Sequence, residues 1–306
     1  MKISAHACRR ILTSSSLSLF IASGLGLASH RPAQAAALDA DDYSAGALPA
    51  GTNLGLLYLQ YSDDEQYNVD GHKALGGDLE EYIGILRYAH FVKIGSVIAD
   101  PQFLLPFGYA NGTNSQSGLG HSSGIGDLIL ASTFWLYNDP SSGHYFGVTP
   151  FIYMPTGQYN PQRPLNLGSN RWTFDAQAAY VTPLFTKNLV MQVSADISFY
   201  TPNNDYSTSH QQLTQAPEGE FQEWFMYHVN PNFDLRGGLF QTFGGTQKVD
   251  GVSVANSHVN TFSFKAGFGW NFAPNWNLVG LYGRDVNTQN GFQNTNAIDF
   301  RIMRMF

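Results

Sequence analysis

From residue 52 to the C-terminus, apolar and polar side chains alternate with period two in twelve segments of roughly 10 to 15 residues, the signature of strands whose two faces meet different surroundings. They are 52–61, 80–92, 96–107, 124–137, 144–155, 171–182, 189–200, 219–229, 233–243, 258–272, 276–287 and 297–306. Four show it cleanly. Trp172, Phe174, Ala176, Ala178 and Tyr180 share one face, opposed by Arg171, Thr173, Asp175 and Gln177. Leu189, Met191, Val193, Ala195, Ile197 and Phe199 oppose Gln192, Ser194, Asp196 and Ser198. Phe262, Phe264, Ala266, Phe268, Trp270 and Phe272 oppose Thr261, Ser263, Lys265, Gly267, Gly269 and Asn271, and Ile298, Phe300, Ile302 and Phe306 oppose Asp299, Arg301 and Met303. The segment 80–92 is less regular, and 219–229 carries Glu223 on its otherwise apolar face.

The connections alternate too. Short ones fall near 93–95, 138–143, 184–188, 230–232 and 273–275, with turn formers such as Asn230-Pro231-Asn232 and Ala273-Pro274-Asn275. Long polar ones fall near 62–79, 108–123, 156–170, 201–218, 244–257 and 288–296. Short turns at one end and long loops at the other is the pattern of outer-membrane β-barrels, whereas a soluble sandwich gives no reason for it. The expected fold is therefore all-β: a transmembrane antiparallel barrel of about twelve strands over residues 51–306, with both ends on the periplasmic side.

Composition fits this. Charged residues are 13% and aromatics 14%, yet mean hydropathy is −0.18. A helical membrane protein would be far more apolar, and a water-soluble globule carries about 25% charged residues. A chain apolar outside and polar inside has this balance. Trp135, Trp172, Trp224, Trp270 and Trp276 lie toward segment ends, where indoles would sit at the membrane–water interface; a core position is the alternative.

Residues 1–35 read as a secretory signal. Lys2, Arg9 and Arg10 precede an apolar stretch from Leu17 to Ala28, and Ala33-Gln34-Ala35 offers small residues at a cleavage site. Cys8 would leave with it, so the exported chain uses neither disulfides nor thiol chemistry. Four basic residues and no acidic one would also leave, taking the net charge from −7 to −11. That excludes nucleic acid and an anionic membrane surface as natural partners. Residues 36–50 would be a periplasmic segment or a plug. The closing Phe306 after alternating apolar residues matches the C-terminal signal read by the barrel-assembly machinery. Arg304 departs from it and could snorkel to headgroups.

Particular stretches carry a family likeness: Leu48-Pro49-Ala50-Gly51, Gly126-Asp127, Pro155-Thr156-Gly157-Gln158-Tyr159, and Asn166-Leu167-Gly168-Ser169-Asn170-Arg171-Trp172. In these the chain resembles the outer-membrane proteins named for the meta-pathway of phenol degradation, over most of the exported sequence. The resemblance implies a transporter for aromatic or other hydrophobic compounds. It carries over no residue-level mechanism.

Enzyme chemistry finds little support. Gly120-His121-Ser122-Ser123-Gly124 fits G-x-S-x-G, but a nucleophile elbow needs a strand before the serine and a helix after it. Here a Gly/Asn/Ser loop precedes and a strand follows, so chance in a glycine-rich loop explains it better. A barrel lipid hydrolase would need a serine and a histidine together near the outer interface; Ser257-His258 and Ser209-His210 are neighbours that a strand would point apart. The histidines lack ligand spacing, so neither a metal site nor a cofactor is expected. The acidic run Asp63-Asp64-Glu65 with Asp70 could bind Ca²⁺ or bridge lipopolysaccharide, and equally reads as a solvated loop. The chemically informative residues are the charges that alternation turns inward: Arg171, Asp175, Asp196, Asp234, Arg236, Lys265, Asp299 and Arg301. Both signs occur, and they could brace the wall, select permeants, or both. Eight strands leave a packed interior and sixteen an open channel, so twelve predict a narrow or partly plugged lumen. Tyr109, Tyr159, Tyr206, Phe243 and Phe292 would suit apolar loops over it. The expected function is passive uptake of small, aromatic or hydrophobic, molecules by a monomer set in outer-membrane lipids and lipopolysaccharide. The alternatives are a structural or adhesive barrel acting through its loops and, more remotely, the lipid hydrolase.

Overall fold

The computed structural model describes residues 43–306; the expected signal (1–35) and residues 36–42 of the expected plug lie outside the described residues. Twelve long strands dominate: β1 (Asn53–Val69), β2 (His72–His90), β3 (Val97–Gly112), β4 (Leu128–Asp139), β5 (His144–Met154), β6 (Thr173–Leu184), β7 (Thr186–Tyr200), β8 (Glu218–Asn230), β9 (Phe233–Gly244), β10 (Val259–Ala273), β11 (Trp276–Thr288) and β12 (Asn296–Met305). Each pairs antiparallel with the next, and β12 pairs with β1 from Leu54↔Met305 to Asp63↔Asn296, closing the ring. Asn53 N–H donates to Phe306 O at 2.9 Å and Phe306 N–H to Asn53 O at 3.0 Å, sealing the seam at its periplasmic end. Closure satisfies the backbone without leaving an edge, the condition for strands to cross a hydrocarbon layer.

Period-two alternation sorts the side chains. Phe103, Phe107, Leu130, Phe134, Ile152, Phe174, Ile197, Phe199, Leu239 and Phe300 stand exposed on the outer face. A continuous apolar surface of that extent requires lipid around it. Gln177, Gln192, Ser194, Ser198, Gln222 and Thr149 alternate with such residues and are buried inside. The interior is not uniformly polar, however. Leu56, Tyr58, Ile85, Leu104, Ile129, Phe151 and Tyr153 from β1–β5 form an inward apolar cluster. Trp224, Met226, Phe240, Val279 and Leu281 form another on β8, β9 and β11. The expectation of a polar lumen is thus corrected to an amphipathic one, because hydrophobic side chains fill part of the interior of a twelve-stranded barrel.

The external ends are more ordered than a reading of polar loops predicts. The stretch 62–79 continues β1 and β2 into a hairpin turned at Asp70 (φ 51°) and Gly71 (φ 79°). An Asp-Gly pair supplies both left-handed positions that a tight hairpin needs. Asp63, Asp64 and Glu65 therefore belong to a strand, where successive side chains diverge, rather than to a loop that could wrap an ion. The segments 201–218 and 244–257 pair into a small external sheet of Asn203–Tyr206, Gln211–Gln215, Gln247–Val249 and Val252–Ser253. The stretch 108–123 holds a 3₁₀ turn, Asn114–Leu119, and a strand, His121–Ile125, that pairs with β3.

Candidate functional site: the lumen and its two mouths

Of the expected inward charges, Asp175, Asp196, Asp234, Arg236, Lys265, Asp299 and Arg301 point into the barrel, and their partners differ in kind. Asp234 and Arg236, two apart on β9, form a bidentate pair with both N–H···O distances 2.8 Å. Lys265 Nζ on β10 reaches past β11 to Asp299 Oδ2 on β12 at 2.5 Å. Gly283 lies between them, and a Cβ there would stand 2.7 Å from Lys265 Cγ, so glycine opens the route. Arg301 is buried and donates to Asn277 Oδ1 at 2.7 Å. The carboxylates of β6–β8 instead meet neutral groups. Ser198 donates to Asp175 at 2.6 Å and Gln177 to Asp196 at 3.5 Å. Glu220, directly opposite Asp196, accepts from Gln222 at 2.8 Å and Thr242 at 2.9 Å. Tyr153, Ser198 and Thr242 join these acids around a small recess in the wall.

Alternation missed Arg87, Glu220 and Glu218, the last two lining the same recess as Asp175 and Asp196. Arg87 donates to Gln102 at 2.6 Å and to Tyr58 at 2.9 Å from the irregular segment on β2. Glu220 shares its face of β8 with Glu218 and Gln222 at one end but with Trp224 and Met226 at the other, so the face read as mixed. Arg171 lies just before β6, at the external end of the wall, with its guanidinium 4.3 Å from the Tyr200 ring centre and donating to Gln215 at 2.5 Å. We expect Lys265→Met to cost about 3 kcal/mol in urea unfolding of the refolded barrel, because Asp299 loses its counter-charge in a mostly buried site. Lys265→Met with Asp299→Asn should recover most of that loss.

At the periplasmic mouth, residues 43–50 fold inward. Tyr43 is 2% exposed and packs with Phe91, Trp135, Ala179 and Val181. Its hydroxyl donates to Gln177 Oε1 at 2.9 Å and contacts Thr149 Oγ1, both on the barrel wall. Ala47 N–H donates to Asn138 at 3.0 Å. Gly46 turns the chain at φ 68°, pressed against the Tyr145 ring where a Cβ has no room.

At the external mouth, Leu165 of the β5–β6 connection is fully buried among Tyr67, Leu79, Ala110, Leu119 and Phe292, which come from β1–β3, the 3₁₀ turn and the β11–β12 loop. The same connection holds the resembling stretches from Pro155 to Trp172. Tyr159 OH donates to Asp205 O at 3.0 Å and Asn170 Nδ2 to Asn203 Oδ1 at 2.9 Å, tying it to the external sheet. Burial raises the pKa of Tyr159, offset in part by the Asn203 hydrogen bond, and pushes Tyr206 to about 12, so both phenols remain donors.

The tryptophans split. Trp172 and Trp270 are exposed on the outer face, and Trp276 carries Arg304, whose guanidinium lies 5.3 Å from its ring centre. Trp135 and Trp224 correct the interface expectation, since both are buried inside: Trp135 donates to Asp100 at 3.3 Å and Trp224 to Gln222 at 3.3 Å. Phe134-Trp135-Leu136 and Trp224-Phe225-Met226 are apolar on both parities, which hides which face is inward. Ser122 of the G-x-S-x-G match sits within a strand and is buried. Ser257 donates to Val254 O at 2.8 Å, and His210 bonds Asp205.

Comparison with known proteins agrees with this architecture. The chain is similar, at 33% identity and a TM-score of 0.84, to the COG4313 outer membrane channel from Pseudomonas putida F1, with 88% of this chain and 100% of that one covered. The β domain of the Bordetella autotransporter BrkA shares the fold alone, at 9% identity and a TM-score of 0.50 over 84% of this chain and 100% of that one. The sequence matches no curated protein. Residues 63–302 match the family described as "Putative MetA-pathway of phenol degradation", so this outer-membrane barrel belongs to that family.

Proposed function

We propose that the barrel is a channel for passive uptake of small molecules across the outer membrane of a Gram-negative bacterium, aromatic or hydrophobic compounds among them. The observation that carries this is the amphipathic interior: apolar clusters on β1–β5 and on β8, β9 and β11 beside charged and hydrogen-bonding groups. An aromatic molecule needs apolar contact along its path and a few polar groups to orient it. The Pseudomonas relative is described as an outer membrane channel, which supports the same reading. In this reading residues 1–35 are a cleaved signal, 36–50 plug the periplasmic mouth, and 51–306 are the working barrel. The protein acts as a monomer, is handed to the barrel-assembly machinery through Phe306, and sits among lipopolysaccharide and phospholipid. It works without catalysis: the Ser257 hydroxyl is bound to backbone and the outer His210 to Asp205.

The test is single-channel recording of the purified barrel in a planar bilayer, with and without phenol. Small discrete openings that phenol blocks are expected. A barrel that inserts and never conducts sinks the open-pore reading. The external sheet around 203–253 makes an adhesive role the reading to compare, and loss of surface binding on its removal, with no conductance, would favour that role.

A further inference from the structure

Asp127 occupies the break between the strand His121–Ile125 and β4, and is buried. Its Oδ1 accepts the Gly157 N–H at 2.9 Å. Its Oδ2 accepts the Ser169 N–H at 2.9 Å and the Ser169 hydroxyl at 2.5 Å. One carboxylate thus holds both ends of the connection between residues 157 and 169. Bonds beside it keep the neck in place: Gln158 N–H to Ile125 O at 2.8 Å, Leu128 N–H to Thr156 Oγ1 at 3.0 Å, and Gly168 N–H to Gln158 O at 2.9 Å. The neck is tight enough that a Cβ on Gly157 would lie 2.7 Å from both Asp127 N and Gly168 Cα. Inside the loop, Asn160 N–H bonds Asn166 Oδ1 at 2.7 Å and Asn166 Nδ2 bonds Arg163 O at 2.9 Å, which ties the loop to itself. Compact surface loops whose ends lie close together are frequently functional.

The far end of the loop shows what that unit does. It leaves the wall between β5 and β6, yet Leu165 is buried against the extensions of β1–β3 and against Phe292 from the β11–β12 loop. In the ring these lie on both sides of the β12–β1 seam, so the loop crosses part of the mouth.

We propose that residues 157–169 are the external gate of the channel and that Asp127 is the positioning residue that latches it. This deepens the channel reading and rests on it. Charge-assisted bonds from a buried carboxylate are about twice as strong as neutral ones, so a single side chain can set how often the loop opens. Asp127 touches no permeant; it acts through Gly157 and Ser169.

Two readouts test it. In a Cys8→Ser, Leu165→Cys protein the thiol is the only one, and its reaction with a membrane-impermeant maleimide reports opening of the loop. Adding Asp127→Ala should speed labelling more than about tenfold, with Asp127→Asn in between, while heat-modifiable mobility on a gel shows the barrel still folded. Conductance relative to the Asp127 parent should rise in the same order. Ser169→Ala, which removes the hydroxyl contacts with Asp127 and Arg171 O and keeps the Ser169 N–H bond, gives a milder release if Asp127→Ala does not fold. Unchanged labelling overturns the latch, and faster labelling with unchanged conductance overturns the gate. If neither parent nor variant conducts, the channel reading falls while the labelling rates still decide the latch.

Discussion

Removing residues 36–48 is expected to raise single-channel conductance roughly three- to fivefold, because it takes Tyr43 and its packed neighbours Ala47 and Leu48 out of the periplasmic mouth. Tyr43 is the centre of that effect. It is the one aromatic of the segment, its ring lies 5.6 Å from the Trp135 ring, and its hydroxyl spans Gln177 and Thr149 of the wall. Tyr43→Phe keeps the packing and loses the hydroxyl contacts, so it should raise conductance less than Tyr43→Ala. Tyr43→Ala should approach the deletion, since Tyr43 is the largest side chain that residues 43–48 put into the barrel and the anchor of their cluster. Recordings in a planar bilayer, one variant at a time, settle the order. Equal conductance for the intact and shortened proteins would mean that the segment caps the barrel without obstructing it.

The barrel was legible because lipid on one side and a confined interior on the other force period two on every crossing strand. The segments 171–182 and 189–200 could be placed on their faces residue by residue. Alternation failed where both faces are apolar, as at Phe134-Trp135-Leu136, and Trp135 and Trp224 were misplaced for that reason. It also failed beyond the membrane, where apolar residues are sparse. The hairpin of β1 and β2 above Asp63 spaces Tyr67, Val69, Leu75 and Leu79 among polar residues, and Asp70-Gly71 is its clearest mark. In the lumen, alternation could say which charges face inward but not which meet. The Lys265–Asp299 pair spans an intervening strand and depends on Gly283, a relation that only the register of three strands reveals. Asp127 and Ser169 were visible as part of a family likeness, while their joint role depends on a contact across 42 positions of sequence.

The carboxylates of β6–β8 make the second large prediction. Lys265 and Arg236 each have a carboxylate at salt-bridge distance, whereas the hydrogen-bond partners of Asp175, Asp196 and Glu220 are serine, threonine and glutamine. β7 lies six strands from β1 in either direction round the ring, so these acids face the wall where Arg87 and Arg301 flank Tyr58. The interior therefore gathers three carboxylates on one side of the ring, and a narrow, weakly screened lumen makes their field felt by every permeant. The channel should prefer cations, and Asp196→Asn with Glu220→Gln should lower the potassium-to-chloride permeability ratio about threefold or more. The substitutions should not weaken the fold, since carboxylates directly opposite one another on neighbouring strands repel. Reversal potentials in a salt gradient measure the ratio, and urea midpoints measure stability. An unchanged reversal potential would place the conducting path away from β7 and β8, against the apolar wall of β1–β5. A fall in stability would instead mean that the two carboxylates share a proton or a cation that holds the strands together.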